Sequence, residues 1–417
     1  MPTFHCEWAW FGGSAAERDV AVEIEGDRIV ARTAGVPAPP GAARLSGLTI
    51  PGMHNAHSHA FHRALRGRTQ AGPGDFFTWR EQMYTVAQRL TPDTYLALAR
   101  ATYAEMLLAG ITSVTEFHYV HHQPDGRPYG DPNAMSAALC EAARQAGIRL
   151  ELLDTCYLHL GLARFRDASV DAWAERAAAR RATGGLVTLG AAVHSVRAVT
   201  PPEITRVVAC SHDTVLHAHV SEQPAENAWC RERYGRTPTE VLADAGALSH
   251  RFTAVHGTHV TDGDVTLLND SGSTVCVCPT TERDLADGIG PVSAFARLSL
   301  GTDSHAVIDL LEEARGLEMH VRLRTGRRGT FTAARLAAIA GSGTPDGRAD
   351  LVTIRLDSPR TAGAADPLTT TLFAATAADV TDVVVAGEHV VRDARHVALD
   401  VAGELDAAIR AVTEVEG

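Results

Sequence analysis

His57-Ser58-His59 places two imidazoles at alternate positions, and histidines and carboxylates recur after short apolar runs further along the chain. Alternate residues on a strand share a face, so a His-x-His pair at a strand's end aims both rings at one point, where a divalent metal is the usual occupant. A bare His-x-His also arises by chance; the residues after the later runs set this one apart. They are Glu116, His118 and Tyr119; His194 and Arg197; His219 and Glu222; His256; and Asp303 with His305. Three His and one Asp suit a hard or borderline divalent ion. The expected ligands are His57, His59, His219 and Asp303, holding one metal with Zn²⁺ the default, and His256 is a fifth ligand or a neighbour. Such a metal brings the pKa of its water to about 7. Asp303 can both touch the metal and take the proton of the attacking water. Glu222, three residues past a ligand, is placed to carry a proton to a leaving nitrogen.

These residues need a scaffold that gathers strand ends. Eight apolar runs alternate with helical stretches between about residues 48 and 340: Leu48–Met53, Ile111–Phe117, Arg149–Tyr157, Val187–Val193, Thr214–Val220, Phe252–His256, Ser273–Cys278 and Leu298–Asp303. That alternation predicts a (β/α)8 barrel over 48–344, a fold whose chemistry sits at the C-terminal strand ends. Helices are expected over Thr91–Ala109, Pro132–Gly147, Val170–Ala182, Pro201–Ser211, Thr237–Ala245 and Ile308–Arg324, and at the C-terminus over Gly403–Val415. Residues 1–47 and 345–417 are rich in short β-branched runs, with a hairpin signal at Glu25-Gly26-Asp27, and are expected to form one small β-sandwich domain.

Composition narrows the function. A net charge of −12 argues against a nucleic-acid partner, although a pocket's local charge can oppose that sign. No apolar run is long enough for a membrane span and the N-terminus lacks a leader pattern. Seven scattered Cys fit a reducing cytoplasm, and Cys276-x-Cys278 reads as strand packing. All 38 basic residues counted as Lys and Arg are Arg. Without lysine the chain has no carboxylated Lys to bridge two metals and no Schiff-base chemistry. One metal is therefore expected, with Glu116 the alternative bridge to a second.

His57-x-His59, His219, His256 and Asp303 at these spacings resemble the amidohydrolase superfamily, and His219-Val220-Ser221-Glu222 resembles its single-metal deaminase branch. Within that branch the chain is similar to the formimidoylglutamate deiminases. The similarity rests on His57-Ser58-His59-Ala60-Phe61, Thr78-Trp79-Arg80-Glu81-Gln82-Met83-Tyr84, Glu116-Phe117-His118-Tyr119, His194-Ser195-x-Arg197, Cys278-Pro279-Thr280-Thr281-Glu282 and Thr302-Asp303-Ser304-His305. The resemblance covers about residues 15–395. It implies hydrolysis of a small dicarboxylate, N-formimino-L-glutamate, to the N-formyl acid and ammonia. It also implies a homodimer. Catalysis falls to Glu222, His256 and Asp303, and substrate contacts to His62, Arg80, Tyr119, His194 and Arg197. Many family members carry Gln where this chain has His62. The chemistry agrees, since carboxylates are matched by bidentate arginines. Two rivals are an amino-purine or pterin deaminase, which needs aromatic stacking and amide donors, and an inactive barrel kept as a binding protein. A third, a two-metal phosphoester or lactone hydrolase, is disfavoured by the missing Lys.

Overall fold

The structure, a computed structural model, describes residues 3–70, 74, 76–182, 184–343 and 347–414. Eight parallel strands follow one another in chain order: Met53–Ser58, Ile111–His118, Arg149–Cys156, Val187–Val193, Leu216–Val220, Phe252–His256, Thr274–Val277 and Leu298–Leu300. A parallel bridge between Ser58 and Asp303 brings the last strand's end back to the first. The expected (β/α)8 barrel is the observed fold. Its strands are apolar runs because the barrel interior and the helical ring bury both faces.

Barrel strand one differs from expectation. Leu48–Ile50 belongs to a strand, Ala43–Pro51, that pairs with Thr3–Ala9 on one side and Leu351–Ile354 on the other. This strand is apolar because it lies in the middle of a second sheet, and the chain enters the barrel only at Met53. The second sheet has eight strands drawn from both chain ends. The expected domain boundary at 344/345 lies outside the described residues, as does the expected helix end at Val415. The C-terminal helix, Val401–Thr413, packs on the barrel helix Pro92–Leu108, where Arg100 Nε donates to Glu404 at 2.8 Å. Several helices were not among those expected. Among them are Phe76–Arg89, Pro224–Tyr234 and Pro279–Asp284.

Two packing features position the site. The first is the seam between barrel strands one and eight. A Cβ on Gly301 would stand 2.7 Å from His57 Cβ, so only glycine lets strand eight approach this closely. Asn55 spans the seam, donating to Thr302 Oγ1 at 2.7 Å and accepting from Thr302 N at 3.0 Å. The His57 carbonyl accepts from Thr302 N at 3.1 Å and Asp303 N at 3.0 Å. The metal-ligand candidates His57 and Asp303 are thereby locked together through the backbone.

The second is a buried ion cluster behind barrel strand three. Arg176 donates to Asp154 at 2.7 and 2.9 Å and to Asp167 at 3.0 and 2.7 Å. Asp167 N in turn donates to the Tyr157 carbonyl at 3.0 Å, which fixes the segment after strand three. Burial pushes both carboxyls up, but Arg176 outweighs it for Asp154, and His122 with Arg176 does so for Asp167. Both end well below the usual carboxylate range. Their folded pKa values are depressed, so the cluster stabilises the fold above the unfolded pKa of about 4, and that contribution fades as pH falls through the folded values. Arg176→Met removes the cation and leaves two buried carboxyls. It should cost about 3–5 kcal/mol at neutral pH. Since burial then raises the pKa of both acids, the deficit in apparent melting temperature should widen from pH 4 to pH 7 in a thermal-unfolding series; a deficit independent of pH would contradict this assignment.

Candidate metal centre and active site

The C-terminal ends of the barrel strands converge on four buried donors. One ligand atom from each of His57, His59, His219 and Asp303 lies within 4.8 Å of all the others. Asp303 Oδ1 is 3.2 Å from His57 Nε2 and 3.4 Å from His59 Nε2, and the His57 and His219 Nε2 atoms are 3.2 Å apart. His59 Nδ1 faces the Phe117 carbonyl at 2.8 Å, and His219 Nδ1 faces the His194 carbonyl at 2.9 Å. A carbonyl only accepts, so each ring carries its proton on Nδ1 and turns the Nε2 lone pair inward. Burial lowers the pKa of all three imidazoles and keeps them neutral. Neutral nitrogens and a carboxylate facing one dry point fit a divalent cation, and these four residues would hold it.

Beside this quartet stand Glu222 and His256. His256 Nε2 is 3.7 Å from Glu222 Oε1 and 4.0 Å from Asp303 Oδ2, and its Nδ1 is 3.7 Å from Glu282 Oε1. Burial lowers the His256 pKa, but Glu222, Glu282 and Asp303 outweigh that and hold it well above its ordinary value. Glu222 is raised above the usual carboxylate range, by burial first, with His256 pulling it down and Asp303 pushing it up. A carboxyl raised in this way holds a proton more readily and can pass it on. Ser221, His256, Asp303 and His305 have φ of 53°, 72°, 39° and 55°, the left-handed region that non-glycine residues avoid. Such strain persists where the surroundings over-determine it, and here it clusters on the strand ends that carry the donors.

A cavity of about 330 Å³ opens over the quartet. His62, Arg80, Tyr119, His194 and Arg197 all line it, together with His59, His219, Glu222 and Asp303. Every expected site residue except His57 and His256 thus reaches the cavity, and those two lie directly behind it. His62 Nε2 and Tyr119 Oη are 3.1 Å apart. Burial holds both His62 and His194 neutral, at about 3. The remaining walls are largely aromatic, with Phe76, Trp79, Tyr84, Tyr157 and Phe165.

Glu116 does not join the metal-ligand quartet. Its Oε2 accepts from Ser58 Oγ at 2.7 Å and its Oε1 from Ala60 N at 2.7 Å. Both oxygens are turned back onto the His57–Ala60 segment, so the alternative bridging role is not what the structure shows. Glu116 instead braces the His-x-His segment from strand two. Cys276 and Cys278 pack with Ala56 and Val255 inside the barrel, as the packing reading expects; the Cys278 sulfur also lies within 4.8 Å of donors of His256 and Asp303. Two carboxylates escaped the sequence reading. Glu226 lies under Arg197, 3.6 Å from its Nε, and accepts from Glu222 N at 3.3 Å. Glu282 faces the rear of His256. Glu282 was visible only as part of a matching segment, and Glu226, in the first turn of the helix Pro224–Tyr234, gave no signal.

Barrel, seam and inward-facing donor set together define a metal-binding barrel enzyme. The chain belongs to the Amidohydrolase family, which it matches over residues 48–390. It is 38% identical to the formimidoylglutamate deiminase of Pseudomonas aeruginosa, with 96% of each chain covered. It is 30% identical to an 8-oxoguanine deaminase of the same organism over 84% of each chain. The crystal structure of an amidohydrolase from Brucella melitensis superposes with a TM-score of 0.92 at 30% identity, covering 99% of this chain and 100% of that one.

The site geometry sets an expected metal content. Protein purified with metal should carry about one equivalent of divalent ion. His219→Ala should lose most of it, whereas Glu116→Gln should retain it. Elemental analysis of the three proteins checks this, and two equivalents in the parent with one in Glu116→Gln would restore Glu116 as a bridge.

Proposed function

We propose that this protein hydrolyses N-formimino-L-glutamate to N-formyl-L-glutamate and ammonia, using one Zn²⁺ held by His57, His59, His219 and Asp303. The observation that carries the reading is the sharing of one cavity by two arginines, Arg80 and Arg197, with the metal-ligand quartet and Glu222. A dicarboxylate amidine needs both: guanidinium forks for its carboxylates and a hydrolytic centre for its formimino carbon. The kinship with a formimidoylglutamate deiminase supports the same substrate. Histidine degradation in the cytoplasm, and a homodimer, belong to the same reading.

The bound metal supplies Lewis acidity that lowers the pKa of a water. Asp303 accepts the proton of the attacking water. Oxygen adds to the formimino carbon while the C=N electron pair moves to the terminal nitrogen, which takes a proton from Glu222; the proton held by Asp303 then passes to that nitrogen, the carbon–nitrogen bond breaks as ammonia leaves, and the remaining hydroxyl proton returns to Glu222 as the formyl carbonyl forms. His256, held between Glu222, Glu282 and Asp303, orients the attacking oxygen and opposes the negative charge that develops on it. Arg80 and Arg197 hold the glutamyl part, with Tyr119, His62 and His194 completing its contacts, so that the carbon stays over the nucleophile.

An aminopurine substrate is the second reading, and the aromatic walls favour it. Two guanidiniums on that wall would face a purine with no carboxylate to match, which is why the dicarboxylate is preferred.

Variants separate the roles. Glu222→Gln should lower kcat by about 10²–10⁴-fold with metal content unchanged. Arg80→Met should raise KM for N-formimino-L-glutamate by tenfold or more on the order expected for a charged hydrogen bond, with kcat nearly intact. Steady-state ammonia assays measure both; wild-type kcat in Glu222→Gln would exclude it as the proton carrier.

A further inference from the structure

We propose that Tyr84 and Tyr157 contact the substrate and complete the carboxylate subsite begun by Arg80 and Arg197, with the Leu160–Gly161 turn acting as the device that positions Tyr157. The inference rests on the dicarboxylate reading above and names residues that reading leaves unassigned.

Tyr84 follows Arg80 by four residues on the helix Phe76–Arg89, so the two share a helix face. The Arg80 guanidinium lies 5.6 Å from the Tyr84 ring centroid. Tyr157 comes from the other side, just past barrel strand three, with its ring 4.2 Å from that of His194. Both phenols flank Phe165, at 5.9 and 5.7 Å between ring centroids. All line the same cavity as Arg197. Burial raises the pKa of both phenols, and the charges of Arg80 and Arg197 act on each of them. The hydroxyls therefore keep their protons at neutral pH, and because the Tyr84 and Tyr157 side chains hydrogen-bond to each other, one hydroxyl proton of the pair is left to donate outward.

The turn beside Tyr157 is built for it. Leu160 and Gly161 have consecutive left-handed φ of 64° and 62°. A Cβ on Gly161 would stand 2.4 Å from Tyr157 Oη and 2.8 Å from Cζ. Glycine thus suits the left-handed backbone and leaves the space in which the hydroxyl sits; a Cβ there would push the Tyr157 ring aside. The turn is tied to the segment that carries Arg197, since Leu158 N and His159 N both donate to the Ala198 carbonyl, at 3.2 and 3.0 Å. Leu160 is strained and 59% exposed at the cavity wall, with no core of its own to explain its conformation. Seating Gly161 on the phenol accounts for it.

Chemically, a carboxylate offers about four lone-pair directions. Two guanidiniums and the one outward proton of the hydrogen-bonded Tyr84–Tyr157 pair, brought to one cavity from a helix and two strand ends, suit that acceptor.

The test uses metal-loaded, full-length protein with three variants: Tyr157→Phe, Gly161→Ala and the double variant. Tyr157→Phe keeps the ring and so leaves the packing intact. It should raise KM for N-formimino-L-glutamate about tenfold and leave kcat within about twofold. Gly161→Ala should produce a similar KM rise, and the double variant no more than either alone, because both act through one hydroxyl. Tyr84→Phe should likewise raise KM. An unchanged KM in Tyr157→Phe, or fully additive effects in the double variant, overturns the proposal. Glutarate binding by calorimetry separates the two levels of inference. If the wild type fails to turn over the formimino acid but binds glutarate, and Tyr157→Phe weakens that binding about tenfold, the subsite stands and the substrate reading falls. If wild-type turnover is rapid and Tyr157→Phe changes neither KM nor glutarate binding, the substrate reading stands and the subsite falls.

Discussion

Three buried imidazoles and a carboxylate bring one donor atom each within 4.8 Å of one another, an arrangement that a shared divalent cation would stabilise. Much of the architecture follows from placing those four groups. Glycine at 301 lets the closing strand reach the first one, Asn55 and the His57 carbonyl pin the seam, and Glu116 braces the His-x-His segment from the neighbouring strand. Backbone carbonyls of Phe117 and His194 then set the tautomers of His59 and His219. Each of these supports acts on a ligand indirectly, by fixing the orientation of a ring or a strand end.

Around this centre the electrostatics change sign with direction. Behind it Glu282 and His256 hold charge close to the reacting point; in front, Arg80 and Arg197 give a strongly acidic chain a locally cationic pocket wall. Arg197 is itself steadied by Glu226, which also accepts from the backbone of Glu222. Arg197 and Glu222 are therefore coupled through one buried carboxylate. Displacement of either would be felt by the other.

The barrel was legible because both faces of its strands are buried, which leaves unbroken apolar runs such as Val187–Val193 and Phe252–His256 in the sequence. The same logic misplaced the first strand: Leu48–Ile50 is equally apolar, but as the middle of the second sheet. The quartet was legible because strand ends are where chemistry collects in this fold and few residue types bind metal. The helix Phe76–Arg89, which carries Arg80 and Tyr84, was overlooked although Phe76, Trp79, Met83 and Val86 recur at helical spacing; that it borders a cavity is not written in its spacing. Tyr157 and Glu226 were hidden for a related reason. Their roles come from what lies across the pocket, which residue type and spacing do not encode. Gly161 shows the same limit: its sequence neighbours say only that a turn is possible, and its purpose depends on a hydroxyl four residues earlier in the chain.

Ammonia release from metal-loaded protein given N-formimino-L-glutamate, with 8-oxoguanine in a parallel reaction, tests the proposed activity most directly. Rapid stoichiometric release from the formimino acid is expected, with N-formyl-L-glutamate as the other product, and none above background from the purine. Release from 8-oxoguanine alone, or no release from the formimino acid by protein shown to hold its metal, would contradict it.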